Sequence, residues 1–161
     1  MTDTKNPSRR LPRERKAGRY ERVYVQLQPL MQKTNDPVAR MATICAVLSH
    51  KFSNFFWCGF YRISKGELIV GPYQGPLACQ ILDKNKGVCW ACVNQKKSIV
   101  VPDVHAFPGH IACDSRSNSE IVIPVYNIKG DVHAVLDIDS TEFGSFDTTD
   151  EYWLNKIITL L

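Results

Sequence analysis

Two strand-like runs, Glu120–Val125 and Asp131–Ile138, joined near Asn127–Gly130, commit this chain to an antiparallel sheet with one apolar and one acidic face. A two-residue connection at Ile128-Lys129 or at Lys129-Gly130 sets Glu120 opposite Asp137 or Asp139, respectively. Side chains alternate along a strand, so Glu120, Asp137 and Asp139 share a face in both registers. Ala134, Leu136 and Ile138 take the other face, which covers a core. A solvated sheet face ordinarily mixes signs, and like charges opposite each other destabilise the pair. The three acids are therefore read as a functional cluster. Their repulsion raises at least one pKa and keeps a protonated acid available near neutral pH.

The elements before this hairpin supply layers to pack on it. Ala17–Lys33 places Tyr20, Val23, Tyr24, Leu27, Leu30 and Met31 on one helical face, with Pro29 as a possible kink. Asp36 is a good N-cap and Pro37 suits the first position of a second helix, with Val38, Met41, Ala42, Cys45 and Leu48 at helical spacing. A strand from Phe55 to Ile63 sets Phe55, Trp57, Gly59, Tyr61 and Ile63 on one face and Phe56, Cys58 and Phe60 on the other. Cys45 and Cys58 fall on packing positions. Lys65-Gly66 turns into Glu67–Gly71, and Gly71, Pro72, Gly75 and Pro76 open a loop carrying Tyr73, Gln74 and Cys79. A short helix starts near Gly87, Ile99–Val101 is a brief strand, and Thr149–Leu161 is an apolar-rich helix. Helices and antiparallel strands in this order predict an α+β fold, a sheet of about six strands flanked by helices.

At 161 residues the chain fits one domain. No stretch approaches the roughly 20 apolar residues of a membrane helix, and no apolar leader is evident. Six cysteines without an export signal suggest a reducing, cytoplasmic setting, where thiols are more often catalytic or metal-binding than structural. Residues 1–22 carry eight Lys/Arg against three Asp/Glu, and the remainder is nearly balanced. The positive charge thus belongs to a tail. Residues 1–16 are expected to be disordered and 17–161 to form the domain, with organelle targeting or nucleic-acid contact as lesser readings of the tail.

Between Pro102 and Val125 a loop crowded with polar groups runs into a strand. Cys113 sits in it beside Asp114 and near Arg116 and His110, where a reactive thiolate would be placed. Two readings compete. In the redox reading Cys113 attacks and Cys79, Cys89 or Cys92 forms a disulfide with it. Cys89, in the first turn of a helix, would be acidified by unpaired backbone N–H groups. In the zinc reading Cys89-x-x-Cys92 and His110-x-x-Cys113 make a closed Cys3His site. Trp57 and Tyr61 share one strand face. Should that be the carboxylate face, they wall a pocket for a small cationic or thioether-bearing ligand.

The block V-P-D-V-H-A-F-P-G-H-I-A-C-D-S-R-S-N-S-E-I-V-I-P-V closely resembles the free methionine-(R)-sulfoxide reductases, which are built on a GAF domain. So do F-F-W-C-G-F-Y at 55–61, G-P-Y-Q-G at 71–75, G-V-C at 87–89 and L-D-I-D-S at 136–140. The likeness runs from about Ala17 to near the C-terminus. It implies a single GAF-like domain with Cys113 as nucleophile and Cys79 and Cys89 at the two other redox positions. Trp57, Tyr61, Glu120, Asp137 and Asp139 would hold free methionine sulfoxide. No cofactor or metal is implied, a thioredoxin-type protein would be the reductant, and neither nucleic acid nor membrane would be a partner. Assembly is open between monomer and homodimer. Trp90 and Cys92 depart from the small residues that usually follow G-V-C, and Cys92 adds a fourth candidate redox thiol. The main alternative is a non-catalytic GAF sensor in which the cysteines switch and the pocket only binds.

Overall fold

The computed structural model describes residues 12–110 and 113–161. Its elements are α1 (Arg13–Met31), α2 (Pro37–Lys51), β1 (Trp57–Ser64), β2 (Glu67–Gln74), β3 (Ile81–Leu82), α3 (Gly87–Gln95), β4 (Ile99–Val101), β5 (Ser119–Tyr126), β6 (Val132–Ser140) and α4 (Thr148–Ile158), with a 3-10 turn at Val104–Ala106 between β4 and β5. The six strands form one antiparallel sheet in the order β3-β2-β1-β6-β5-β4. The α+β architecture expected from the pattern is the one observed.

Helices α1, α2 and α4 cover one face of the sheet. Tyr20, Leu27, Ile44, Leu48 and Leu154 meet Cys58, Phe60, Ile121, Ile123, Leu136 and Ile138 there, all fully buried. The other face is covered by α3 and the long loops, and holds Trp57, Tyr61, Leu68, Val88, Trp90, Cys92, Val122 and Val135. The β1 run is therefore apolar on both faces, as a central strand must be.

Asp36 caps α2 as expected, its side chain accepting from the Ala39 N–H, with Pro37 at the first helical position. At α4, Asp147 and Asp150 form a reciprocal capping box. Several expectations need correction. Helix α1 begins at Arg13, inside the stretch expected as tail, because Lys16 is buried and donates to Asp150 at 2.6 Å and to Asp147 at 3.3 Å. The rest of that tail, residues 1–11, lies outside the described residues. Phe55 precedes β1 in a turn closed by its N–H on the Phe52 carbonyl, and so packs on the helical face rather than beside Trp57.

The loop expected from Gly71 is strand as far as Gln74. β3 pairs only with Leu68 and Ile69, so Pro72 stands where β2 has no neighbour on its outer side and its missing N–H costs no ladder bond. The β5–β6 connection is longer than two residues. Tyr126 pairs with Val132, and the Asn127 side chain accepts from the N–H groups of Lys129 and Asp131.

Candidate active site

Register alone brings the acids and aromatics together. Glu120 on β5 lies opposite Asp139 on β6, and Trp57 and Gly59 on β1 lie opposite Asp139 and Asp137. All of these side chains face the α3 side of the sheet, so the aromatic face and the carboxylate face are one face. Trp57, Tyr61, Cys89, Cys113, Glu120, Asp137 and Asp139 line a single pocket with an empty volume of about 600 Å³, partly open to solvent.

Trp57 forms its wall. The indole stacks on Tyr61 and Tyr73, with ring centroids 5.8 and 5.2 Å away, and its Nε1–H donates to the Pro76 carbonyl at 3.2 Å. Two glycines make room for it. A Cβ on Gly59 would collide with the Trp57 ring and with Tyr73, and one on Gly75, whose φ is +134°, would meet Trp57 Cδ1 at 2.8 Å. The Tyr61 hydroxyl donates to the Cys79 carbonyl at 2.9 Å, so a pocket wall residue also holds the Cys79 loop.

The acids form the floor. Burial, then the charges of Asp137 and Asp139, push Glu120 well above the usual carboxylate range. Burial and the charge of Asp137 do the same to Asp139, against a lowering hydrogen bond from Ser117. Asp137 is pushed by burial up to about 6, with Glu120 and Cys89 holding it down as hydrogen-bonding neighbours. Its Oδ1 has no hydrogen-bond partner among the described residues. Near neutral pH the floor thus holds protonated acids beside one carboxylate that ionises readily.

The cysteines divide into three groups. Cys113 is disulfide-bonded to Cys79, 34 residues away in sequence, with Cα atoms 5.6 Å apart. Cys45 and Cys58 are core thiols, as expected. Cys89 and Cys92 are buried and free on the inner side of α3. The acidified thiol expected at Cys89 is not found. Burial, followed by the charges of Asp137, Glu120 and Asp139, pushes it well above the ordinary thiol range, outweighing its place in the first helical turn. Burial likewise pushes Cys92 up to about 12, and its Sγ lies against the Val122 carbonyl at 3.9 Å. The Cys3His arrangement is not assembled, since the Cys113 sulfur is bonded to Cys79 and Cys92 points into β5.

The Cys113 loop is fixed locally. Asp114 accepts from the Arg116 Nε and Nη2 at 3.0 and 2.7 Å, which holds its carboxyl down at about 2. The Arg116 guanidinium in turn lies 4.8 Å from the Phe56 ring centroid.

A profile for the GAF domain matches residues 34–161. The chain belongs to the GAF-domain family. This GAF domain is 45% identical over 147 residues to GAF domain-containing protein A of Dictyostelium discoideum, covering 91% of this chain and 92% of that one. It is 40% identical over 132 residues to the free methionine-R-sulfoxide reductase of Escherichia coli K12, covering 82% and 79%. The structure of free methionine-R-sulfoxide reductase from Neisseria meningitidis in complex with its substrate superposes with a TM-score of 0.86 at 39% identity, covering 90% of this chain and 87% of that one. Within its family the GAF domain is thus a close relative of the free methionine-R-sulfoxide reductases, which are oxidoreductases.

Sequence reasoning missed Ser117 and Lys86 as lining residues of the GAF pocket, while His110, singled out beside Cys113, does line it. A serine in a turn-rich loop gives no signal of its own, and only the fold sets it against Asp139. Among the described residues no helix is long and apolar enough to cross a membrane.

Proposed function

We propose that this GAF domain reduces free L-methionine (R)-sulfoxide to methionine, acting in the cytoplasm with a thioredoxin-type protein as electron donor. The observation that carries the reading is the Cys79–Cys113 disulfide at a pocket floored by three carboxyl groups and walled by Trp57 and Tyr61. An aromatic wall suits the methyl and thioether end of the substrate. Enclosure with acids near the ammonium favours the free amino acid over a peptide-bound residue, which lacks that charge.

In the reduced chain the Cys113 thiolate attacks the sulfoxide sulfur. A protonated acid of the floor, Glu120 or Asp139, gives its proton to the sulfoxide oxygen, because oxide is a very poor leaving group. Oxygen passes as hydroxyl to the Cys113 sulfur, methionine departs with the two electrons that the thiolate supplied, and Cys113 is left as a sulfenic acid. The Cys79 thiolate then displaces hydroxide, which leaves as water, and the disulfide forms. A dithiol reductant restores both thiols by exchange. The high pKa of Cys89 and its depth beside the acids support Cys79 as the resolving thiol.

The test is reductant-dependent turnover of both free sulfoxide epimers by wild type and Cys113→Ser. The expected result is loss of the R epimer alone, abolished in the variant. Binding of the R epimer without turnover would instead identify a sensor domain.

A further inference from the structure

The pocket floor also brings together three metal-ligating groups from three different elements. Cys89 of α3, Glu120 of β5 and Asp137 of β6 each offer a ligand atom, and these atoms all lie within 4.8 Å of one another. A second, separate observation marks the place. Asp137 is only 6% exposed, yet its Oδ1 has no hydrogen-bond partner among the described residues. A buried carboxylate oxygen without a donor is unfavourable, and a cation would satisfy it.

From this geometry we propose that the pocket floor binds a thiophilic divalent cation, Zn²⁺ above all, through Cys89 Sγ and one carboxylate oxygen each from Glu120 and Asp137. Zinc bonds of about 2.0–2.3 Å in a tetrahedron require ligand atoms about 3.3–3.8 Å apart. Since no pair lies farther apart than 4.8 Å, the atoms need to close by at most about 1–1.5 Å, a movement within side-chain rotation. On binding, the Cys89 thiol and any protonated acid release their protons to solvent, and thiolate plus two carboxylates leave the occupied site with one net negative charge. The fourth position faces the cavity and takes water, the arrangement of an open rather than a closed zinc site. A thiolate among the ligands selects zinc, cobalt or cadmium over magnesium and calcium.

None of the three ligands belongs to the Cys79–Cys113 disulfide, so the oxidised chain binds the metal with Cys79 and Cys113 out of play. The site overlaps the space proposed for methionine sulfoxide, and metal and substrate exclude each other. That corollary rests on the proposed function, whereas metal binding itself does not.

The experiment is a titration of the disulfide form with Co²⁺, followed by near-ultraviolet absorption. The expected result is a thiolate-to-cobalt charge-transfer band saturating at one metal per chain, bleached by Zn²⁺ and indifferent to excess Mg²⁺ or Ca²⁺. Cys89→Ser abolishes the band, Cys92→Ser keeps it, and Asp137→Asn weakens binding by about tenfold or more. Should Cys89→Ser fail to fold, Glu120→Gln is read in the same way as Asp137→Asn. Absence of the band in wild type, its survival in Cys89→Ser, its loss in folded Cys92→Ser, or full-strength binding to Asp137→Asn would overturn the proposal.

Discussion

Glu120 and Asp139 stand directly opposite each other across β5 and β6, two carboxyl groups paired on the covered side of the sheet. Such a pair is tolerated only if a proton stays with it, and burial raises both groups well above the ordinary range. Glu120→Gln and Asp139→Asn should each lower sulfoxide turnover by about 10²-fold or more, the size of a general-acid contribution. Neither should lower the urea midpoint, because each removes a group that is unfavourable to ionise in place. A large loss of stability in either variant would assign these acids to the fold instead of to the chemistry.

Asp137 ties the same site to pH. Its folded pKa of about 6 lies above the ordinary value of 3.8, so between these limits the folded chain holds a proton that the unfolded chain has released. Stability is then greatest below the unfolded value and falls as pH rises through about 6, by roughly 3 kcal/mol for a shift of this size. The raised values of Glu120 and Asp139 act in the same direction. Urea unfolding across this range should show the slope, and Asp137→Asn should flatten it.

Lys16 tests how α1 is attached. Its Nζ lies 2.6 Å from Asp150 Oδ2, and Asp150 is fully buried. The Tyr20 hydroxyl donates to the other oxygen at 2.7 Å. Lys16→Ala leaves that carboxylate without its cation and should cost roughly 3–5 kcal/mol in denaturant unfolding near neutral pH. Burial raises the Asp150 pKa, so the loss should shrink in acid as the orphaned group takes up a proton.

Tyr61 links the aromatic wall of the pocket to the disulfide loop through its hydrogen bond to the Cys79 carbonyl. Tyr61→Phe should keep the stacked ring but loosen the loop, slowing formation of the Cys79–Cys113 bond by about fivefold, the equivalent of one hydrogen bond of about 1 kcal/mol. The reading is the lifetime of the Cys113 sulfenic acid, trapped with a dione reagent after one turnover. An unchanged lifetime would leave the bond without a role in closing the disulfide.

What could be read from the sequence was mostly what is local. The period of two put Glu120, Asp137 and Asp139 on one face whichever turn joined β5 to β6, and Asp36-Pro37 announced α2. Whether Trp57 and Tyr61 shared that face depended on β1 lying beside β6, a pairing between segments about eighty residues apart that no local pattern encodes. Phe55 was misplaced because alternation was carried across a turn. Lys16 looked like part of a basic tail because its partner, Asp150, is 134 residues away. Cys89 followed a correct local rule, proximity to a helix N-terminus, that burial and three nearby acids overrode.

The most direct test of the central claim is a single turnover without reductant. Fully reduced chain is mixed with one equivalent of free L-methionine (R)-sulfoxide, and methionine and disulfides are quantified together by mass spectrometry. The account predicts one methionine per chain and one new disulfide, Cys79–Cys113, with Cys45, Cys58, Cys89 and Cys92 still reduced. No methionine, or methionine formed with a disulfide that leaves out Cys113, would contradict it.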